Sequence, residues 1–274
     1  MSGPTLAQDV AGTVVPAGQV RAWWLGGSGF IFKTAAGRQV WIDPYLSDAV
    51  FRIFGVRRAF PAPITAAEAA PDVVISTHWH EDHLDPGTIP ELARRLPEAK
   101  FVMPPSAMAR ALTWGVARSQ IVPLAHGQTE RVAGAVITAV PARHEPGIPG
   151  WEVPDAMGVI LELDGRRIYH TGDTEYDKRL RRLRGQSFDL ATFCINGVSG
   201  NMNAHEAALL AWHLAAKTVI PHHHLIWAKD AADPEETLDP RLFAATYARL
   251  GGTARVILPV VGAGFQLTPD GSIL

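Results

Sequence analysis

The stretch Ser76-Thr77-His78-Trp79-His80-Glu81-Asp82-His83-Leu84-Asp85 follows directly on the apolar run Val73-Val74-Ile75. It holds three histidines and three carboxylates in ten residues. Imidazole and carboxylate suit Zn²⁺, Mn²⁺ and Fe. A buried strand that ends in such ligands places a metal site on the rigid edge of a sheet. In the pattern His-x-His-x-Asp-His, His78 and His80 project to one side of an extended chain. Asp82 and His83 lie past the turn and can serve a second ion. With 11 histidines in 274 residues, chance supplies the three histidine positions roughly 0.02 times per chain of this length.

Apolar residues make up 47% of the chain and charged ones 19%. That composition supports a substantial core and excludes a disordered chain. The formal net charge of −2 argues against nucleic-acid or membrane-surface partners. The single cysteine, Cys194, excludes an intramolecular disulfide. It lies in the apolar run Phe188–Ile195 and reads as a core thiol. No apolar run reaches the length of a membrane span. No basic segment followed by an apolar stretch opens the chain, so a cytoplasmic location is expected.

Residues 1–17 read as a tail or edge strand, and residues 18–274 as one domain. Gly26-Gly27-Ser28-Gly29 between two apolar runs predicts a tight hairpin rather than a phosphate loop. Gln39–Asp43 reads as a strand and 46–70 as irregular. A short helix is expected over Pro90–Leu96. Another is expected to run to about Trp114, with Ser106 as its cap. Strands are expected near 101–103, 121–124, 136–140, 158–163, 167–170, 218–221 and 255–258. Ala207, Leu210, Ala211 and Leu214 mark one face of a helix over 204–216, with Asn203 as N-cap and Glu206 as its box partner. A last helix is expected over 240–250. Strands in runs with interspersed helices and no linker predict one α/β domain with two mixed sheets covered by helices.

Four strand ends carry metal-type ligands: His78/His80/Asp82/His83, His144, Asp173 and the triplet His222-His223-His224. This constellation resembles the metallo-β-lactamase superfamily of metal-dependent hydrolases. The resemblance implies an αββα sandwich, with its site at the strand ends along one edge. It further implies that His78, His80 and His144 hold one ion, and that Asp82, His83 and His223 hold a second. Asp173 would bridge the two, and His223 is chosen by the Pro-x-His pattern of Pro221-His222-His223.

Several strings are similar to the L-ascorbate-6-phosphate lactonase branch of that superfamily. They are Trp23-Trp24-Leu25-Gly26, Thr77–Asp85, Tyr169–Thr174, Gly200–Asn203 and Ile220–Trp227, with weaker matches at Trp114–Val116 and Ala232–Glu236. Loops before the His-rich motif and around His144 are shorter here than in that branch. The resemblance therefore carries the metal chemistry further than the substrate.

The expected cofactors are two divalent ions, Mn²⁺ or Zn²⁺, with Fe²⁺ also compatible. Two ions would share a water and lower its pKa towards ~7. The expected reaction is attack of that hydroxide on the carbonyl of a sugar-acid lactone or lactone phosphate. Asp82, Asp173 and His223 are the expected catalytic residues. His170, His222 and His224 are candidates for supporting the ligands or facing the substrate. His126, His205 and His213 fall outside the pattern.

The expected partner is a small molecule. It would be anionic if the Lys178–Arg184 cluster greets it, although that cluster reads first as a solvated helix face. A homo-oligomer is an open option. The alternatives are a phosphodiesterase of the same fold, a di-iron oxidoreductase, and a non-catalytic relative. The −2 charge disfavours an RNase of this fold, and His80, standing where the oxidoreductases carry Glu, disfavours the second.

Overall fold

The computed structural model describes residues 4–197, 200–229 and 238–270. One sheet contains β1 (Val20–Gly26), β2 (Gly29–Thr34), β3 (Gln39–Ile42), β4 (Val73–Ile75), β5 (Lys100–Met103), β6 (Ile121–Pro123) and β14 (Gly264–Leu267). Its strand order is β14-β1-β2-β3-β4-β5-β6. The other contains β7 (Thr129–Val132), β8 (Ala135–Pro141), β9 (Met157–Leu163), β10 (Arg166–His170), β11 (Leu190–Cys194), β12 (Thr218–His222) and β13 (Arg255–Val256). Its order is β13-β12-β11-β10-β9-β8-β7. Each sheet is half antiparallel and half parallel: pairing is parallel from β3 to β6 and from β10 to β13.

Alternation along the strands makes the layers. Trp24, Phe30, Phe32, Ile42 and Ile75 point from the first sheet into a core shared with Ile137, Val159, Leu161 and Ile220 of the second. The alternate residues Trp23, Ile31, Trp41 and Val74 point outward, beneath α3 (Ile89–Arg95) and α4 (Pro105–Thr113). Tyr169, Ala191, Phe193 and Val219 do the same beneath α5 (Ala204–Leu214) and α6 (Pro240–Arg249). Central parallel strands are covered on both faces, so their sequences run apolar without a polar break. The result is the expected αββα sandwich of two mixed sheets flanked by helices.

The hairpin at Gly26–Gly29 and the capping box of Asn203 and Glu206 are present. Four local readings differ. Residues 6–12, expected within a tail or edge strand, form helix α1 (Leu6–Gly12) with a capping box between Thr5 and Gln8. It is tied down by Trp23 Nε1, which donates to Asp9, and by Lys33 Nζ, which donates to the carbonyls of Val10, Ala11 and Thr13.

Within the span read as irregular, Ala49–Phe54 form helix α2. Its apolar residues pack on Tyr45 and Ile226, a tertiary contact that local pattern cannot register. Ser106 is not a cap: Pro104 takes that place, and Ser106 donates its N–H and hydroxyl to Asp155. Strands β7 and β14 were unanticipated, being short pieces at or near a sheet edge. The 232–236 string lies outside the described residues. No helix among the described residues is long and apolar enough to cross a membrane.

Candidate metal centre

The carboxyl ends of the parallel strands of both sheets open on the same edge. Loops leaving strand ends are where this kind of sheet builds its sites. The loop after β4 carries His78, His80, Asp82 and His83; the segment after β8 carries His144. Asp173 follows β10, and His223 follows β12 directly.

The His-rich loop is held as a compact turn. His83 and Leu84 donate backbone N–H groups to the His80 carbonyl at 2.9 and 2.7 Å. The Asp85 carboxylate at its end accepts from Leu46, Ser47, Gly87 and Thr88. His223 has a φ of 57° and Asp43 one of 44°, both left-handed conformations uncommon for residues with a Cβ. Such backbone strain persists where the surrounding fold over-determines it, commonly at sites. At His223 the backbone N–H donates to the Gly27 carbonyl at 2.9 Å, pinning the strained residue to the β1–β2 hairpin.

Three groups of ligand atoms converge: His78/His80/His144, His78/His83/Asp173 and Asp82/His83/His223. His80 Nδ1 lies 2.9 Å from His78 Nε2 and 3.1 Å from His144 Nε2. On the other side, His83 Nε2 lies 3.2 Å from His223 Nε2. Asp82 Oδ2 is 3.7 Å from His83 Nε2 and 3.3 Å from His223 Nε2. Asp173 Oδ2 joins the two sides, 3.5 Å from His83, 3.4 Å from His223 and 4.0 Å from His144. Ligands on bonds of ~2.0–2.2 Å in a tetrahedron stand ~3.3–3.6 Å apart. These separations therefore fit nitrogen and oxygen donors gathered around divalent cations.

The outward nitrogens and oxygens are held from behind. His83 Nδ1 donates to Asp43 Oδ2 at 2.7 Å. Asp43 also accepts the Thr77 N–H at 2.8 Å and hydroxyl at 2.7 Å. Thr77 Oγ1 lies 3.1 Å from His78 Nδ1, and the Gly200 carbonyl 3.3 Å from His144 Nδ1. Each contact favours the proton on Nδ1 and leaves the Nε2 lone pair facing the centre. Asn201 Nδ2 donates to Asp173 Oδ2 at 2.8 Å, and the Asn196 amide stands 3.4 Å from His223 Nδ1.

Electrostatics divide the cluster. Burial and the neighbouring charges of His83 and His80 push His78 well below its usual range. Burial also pushes His80 down to about 4. At His83 burial is opposed and outweighed by Asp173, Asp82 and Asp43, which raise it well above 6.5. Burial raises the Asp173 carboxyl, but His223 and His83 outweigh it and hold the group well below the carboxylate range. A cation would take over the charge that protonated His83 supplies to these carboxylates, so uptake is coupled to proton release.

All seven residues expected as ligands meet here. The other histidines do not join the groups. His170 and His222 stack at 4.5 Å behind the centre, bonded through Nδ1 to Thr192 and Ser28. His224 packs against Trp24 at 5.1 Å. His126 and His205 bond elsewhere, to the Ala156 carbonyl and Thr246. Lys178, Arg179, Arg181, Arg182 and Arg184 are exposed.

Sequence reasoning gave Asp43, Thr77, Ser28 and Asn196 no role. The only trace was an aspartate directly before a proline at the end of a strand. A cavity of about 380 Å³ opens over the centre, reached by His80, Asp82, His144, Asp173 and His223.

The model of the beta-lactamase superfamily domain matches residues 38–224. The UPF0173 metal-dependent hydrolase of Thermococcus onnurineus is 34% identical over 206 residues, which are 70% of this chain and 88% of that protein. A protein named "probable L-ascorbate-6-phosphate lactonase UlaG" from Salmonella paratyphi B is 24% identical over 274 residues, covering 85% of this chain and 77% of its own. Among solved structures, the metallo hydrolase Igni18 of Ignicoccus hospitalis superposes with a TM-score of 0.65 at 24% identity, covering 90% of this chain and 98% of its own.

Proposed function

From the premise that this chain belongs to the beta-lactamase superfamily and is a metal-dependent hydrolase, we propose that it is a binuclear enzyme that opens lactones. His78, His80 and His144 would hold one cation, Asp82, His83 and His223 the other, and Asp173 both. The observation that carries this reading is Asp173 Oδ2, which lies within 3.4–4.0 Å of His223, His83 and His144. Divalent cations bound there, Mn²⁺ or Zn²⁺, supply Lewis acidity and water that ionises near neutral pH.

The chain's own residues prepare the reaction. Asp43 and Thr77 fix the ligand imidazoles, and Asn201 orients the shared carboxylate. Asp82 faces the cavity with its side chain 16% exposed. Burial opposes its ionisation, but His83 and His223 outweigh that and keep it a carboxylate. It is placed to accept a proton from the attacking water and pass it to the leaving alkoxide when the ring C–O bond breaks. The choice of a lactone rests on the relative named as a lactonase.

Elemental analysis of purified protein, followed by a panel of lactones and phosphodiesters with Mn²⁺ and Zn²⁺, tests the proposal. Two ions per chain and lactone turnover are expected, and Asp173→Ala and His80→Ala should each lower turnover at least about 100-fold. Phosphodiester turnover without lactone turnover would overturn the substrate class. One tightly held ion at full activity would overturn the binuclear assignment.

A further inference from the structure

The cavity over the centre has a wall that the hydrolytic chemistry leaves unused. Val50 and Phe54 of α2, with Val56, form one side of it, and Trp151 and Trp227 contribute further rings. Phe54 and Trp151 come from separate segments, and their rings meet at 5.5 Å with planes inclined by 46°. Trp151 also presents its ring to His80, 5.5 Å away at 63°. The ring pair therefore stands directly beside a residue of the metal centre.

Phe54 is 43% exposed and Trp151 41% exposed. Large aromatic rings that touch each other and still face an open cavity serve as a contact surface for a ligand.

The charge around this cavity points the same way. Outside the carboxylates placed on the cations, only Glu81 and Glu145 face one ammonium there, that of Lys229, and no arginine among the described residues lines the cavity. The nearby Arg110 lies over the Trp79 ring at 3.7 Å and pairs with Glu81 at 3.0 Å. Phosphate recognition favours bidentate guanidinium groups. This wall offers aromatic carbon instead.

Building on the lactone reading, we infer that the substrate is uncharged and carries an alkyl or aryl group, which packs against Phe54 and Trp151 beside the bond that is hydrolysed. Phe54, Glu81 and Trp151 also line a second cavity of about 220 Å³, together with Trp79, Gly150 and Arg110, whose guanidinium is taken up by Glu81 and the Trp79 ring. The ring pair is thus the partition between two spaces, and it sets how long an apolar group the site takes.

The test uses the full chain loaded with Mn²⁺ or Zn²⁺ and a homologous series from γ-butyrolactone to γ-undecalactone, with L-ascorbate 6-phosphate as the anionic comparison. Binding is read calorimetrically, and turnover separately as kcat/KM. Affinity should rise about three- to fourfold per added methylene until the cavity is filled. Phe54→Ala should weaken the longest lactone at least tenfold more than the shortest, and Phe54→Leu should restore part of that slope. Trp151→Ala, by joining the two cavities, should move the preferred length upward.

Affinity independent of chain length, or a preference for the phosphorylated lactone, would overturn the inference. Length-dependent, Phe54-dependent binding without any turnover would uphold it while sinking the lactonase reading.

Discussion

Asp43 Oδ2 accepts a hydrogen bond from His83 Nδ1 at 2.7 Å, with the two side chains 0% and 1% exposed. The carboxylate sets the tautomer of the imidazole and aims its other nitrogen at Asp82, Asp173 and His223. It does so from the end of β3, a strand that supplies no residue to the converging ligand groups.

Replacing Asp43 by alanine leaves the Thr77 N–H, the Thr77 hydroxyl and the His83 N–H without their common acceptor. Metal affinity should fall about 10- to 100-fold, the usual range when a ligand histidine loses its orienting partner. Competition against a fluorescent chelator measures it directly. Affinity equal to that of the native protein would mean that His83 does not depend on Asp43 for its orientation.

Gly200 has a φ of +78°, and a Cβ built there would stand 2.3 Å from the Glu145 backbone nitrogen. Its carbonyl faces His144 Nδ1 at 3.3 Å. Gly200→Ala should therefore push the His144–Glu145 backbone out of place, at a cost to stability of about 2 kcal/mol. Retained metal should drop preferentially from the His78/His80/His144 group. Native metal content, read by mass spectrometry under non-denaturing conditions, would contradict this.

Burial and the nearby charge of His223 push His224 down to about 4 from its ordinary 6.5. The folded chain resists a proton that the unfolded chain accepts, so stability is lost as pH falls from 6.5 to 4. The amount is about 3 kcal/mol for such a shift. His80 slopes the same way. Glu145, pushed up to about 7 by burial and by Asp173, slopes oppositely, losing stability as pH rises through that range. Urea titrations of chelated protein at pH 7 and pH 4 should show a smaller acid loss for His224→Phe than for the native chain. Equal losses would rule out a buried, neutral His224.

The ligand groups draw on both sheets: the loop after β4 from one, and His144, Asp173 and His223 from the other. Chelation should then lower thermal stability. Saturation at a hundred times Kd contributes about 2.7 kcal/mol, which corresponds to a melting shift of roughly 5 °C in a chain of this size. Calorimetry with EDTA, then with Mn²⁺ or Zn²⁺ restored, measures it. A melting temperature indifferent to both treatments would place the ions outside the folding equilibrium.

The residues that converge as candidate ligands were legible because such chemistry is confined to a few residue types in local patterns. His78, His80, Asp82 and His83 sit within six residues, and His144, Asp173 and His223 each follow a strand. The layers were legible from alternating apolar residues such as Trp24, Phe30 and Phe32. Asp43 and Thr77 were hidden, because their roles come from pairing β3 beside β4, which no local pattern states. Phe54 and Trp151 were hidden for a related reason: only tertiary folding brings their rings together. Helix α1 was the avoidable omission, since Thr5 and Gln8 already spelled its capping box.

The first sheet is closed by β14, whose Leu267 pairs with Val20 of β1. A ribosome therefore releases every residue of the metal centre before the strand that covers the edge of β1 has been made. Until that last strand emerges, β1 offers unpaired backbone groups to any neighbouring nascent chain. Closure across so long a sequence separation is also slow. That interval of synthesis thus exposes an edge of β1 that the finished sandwich covers.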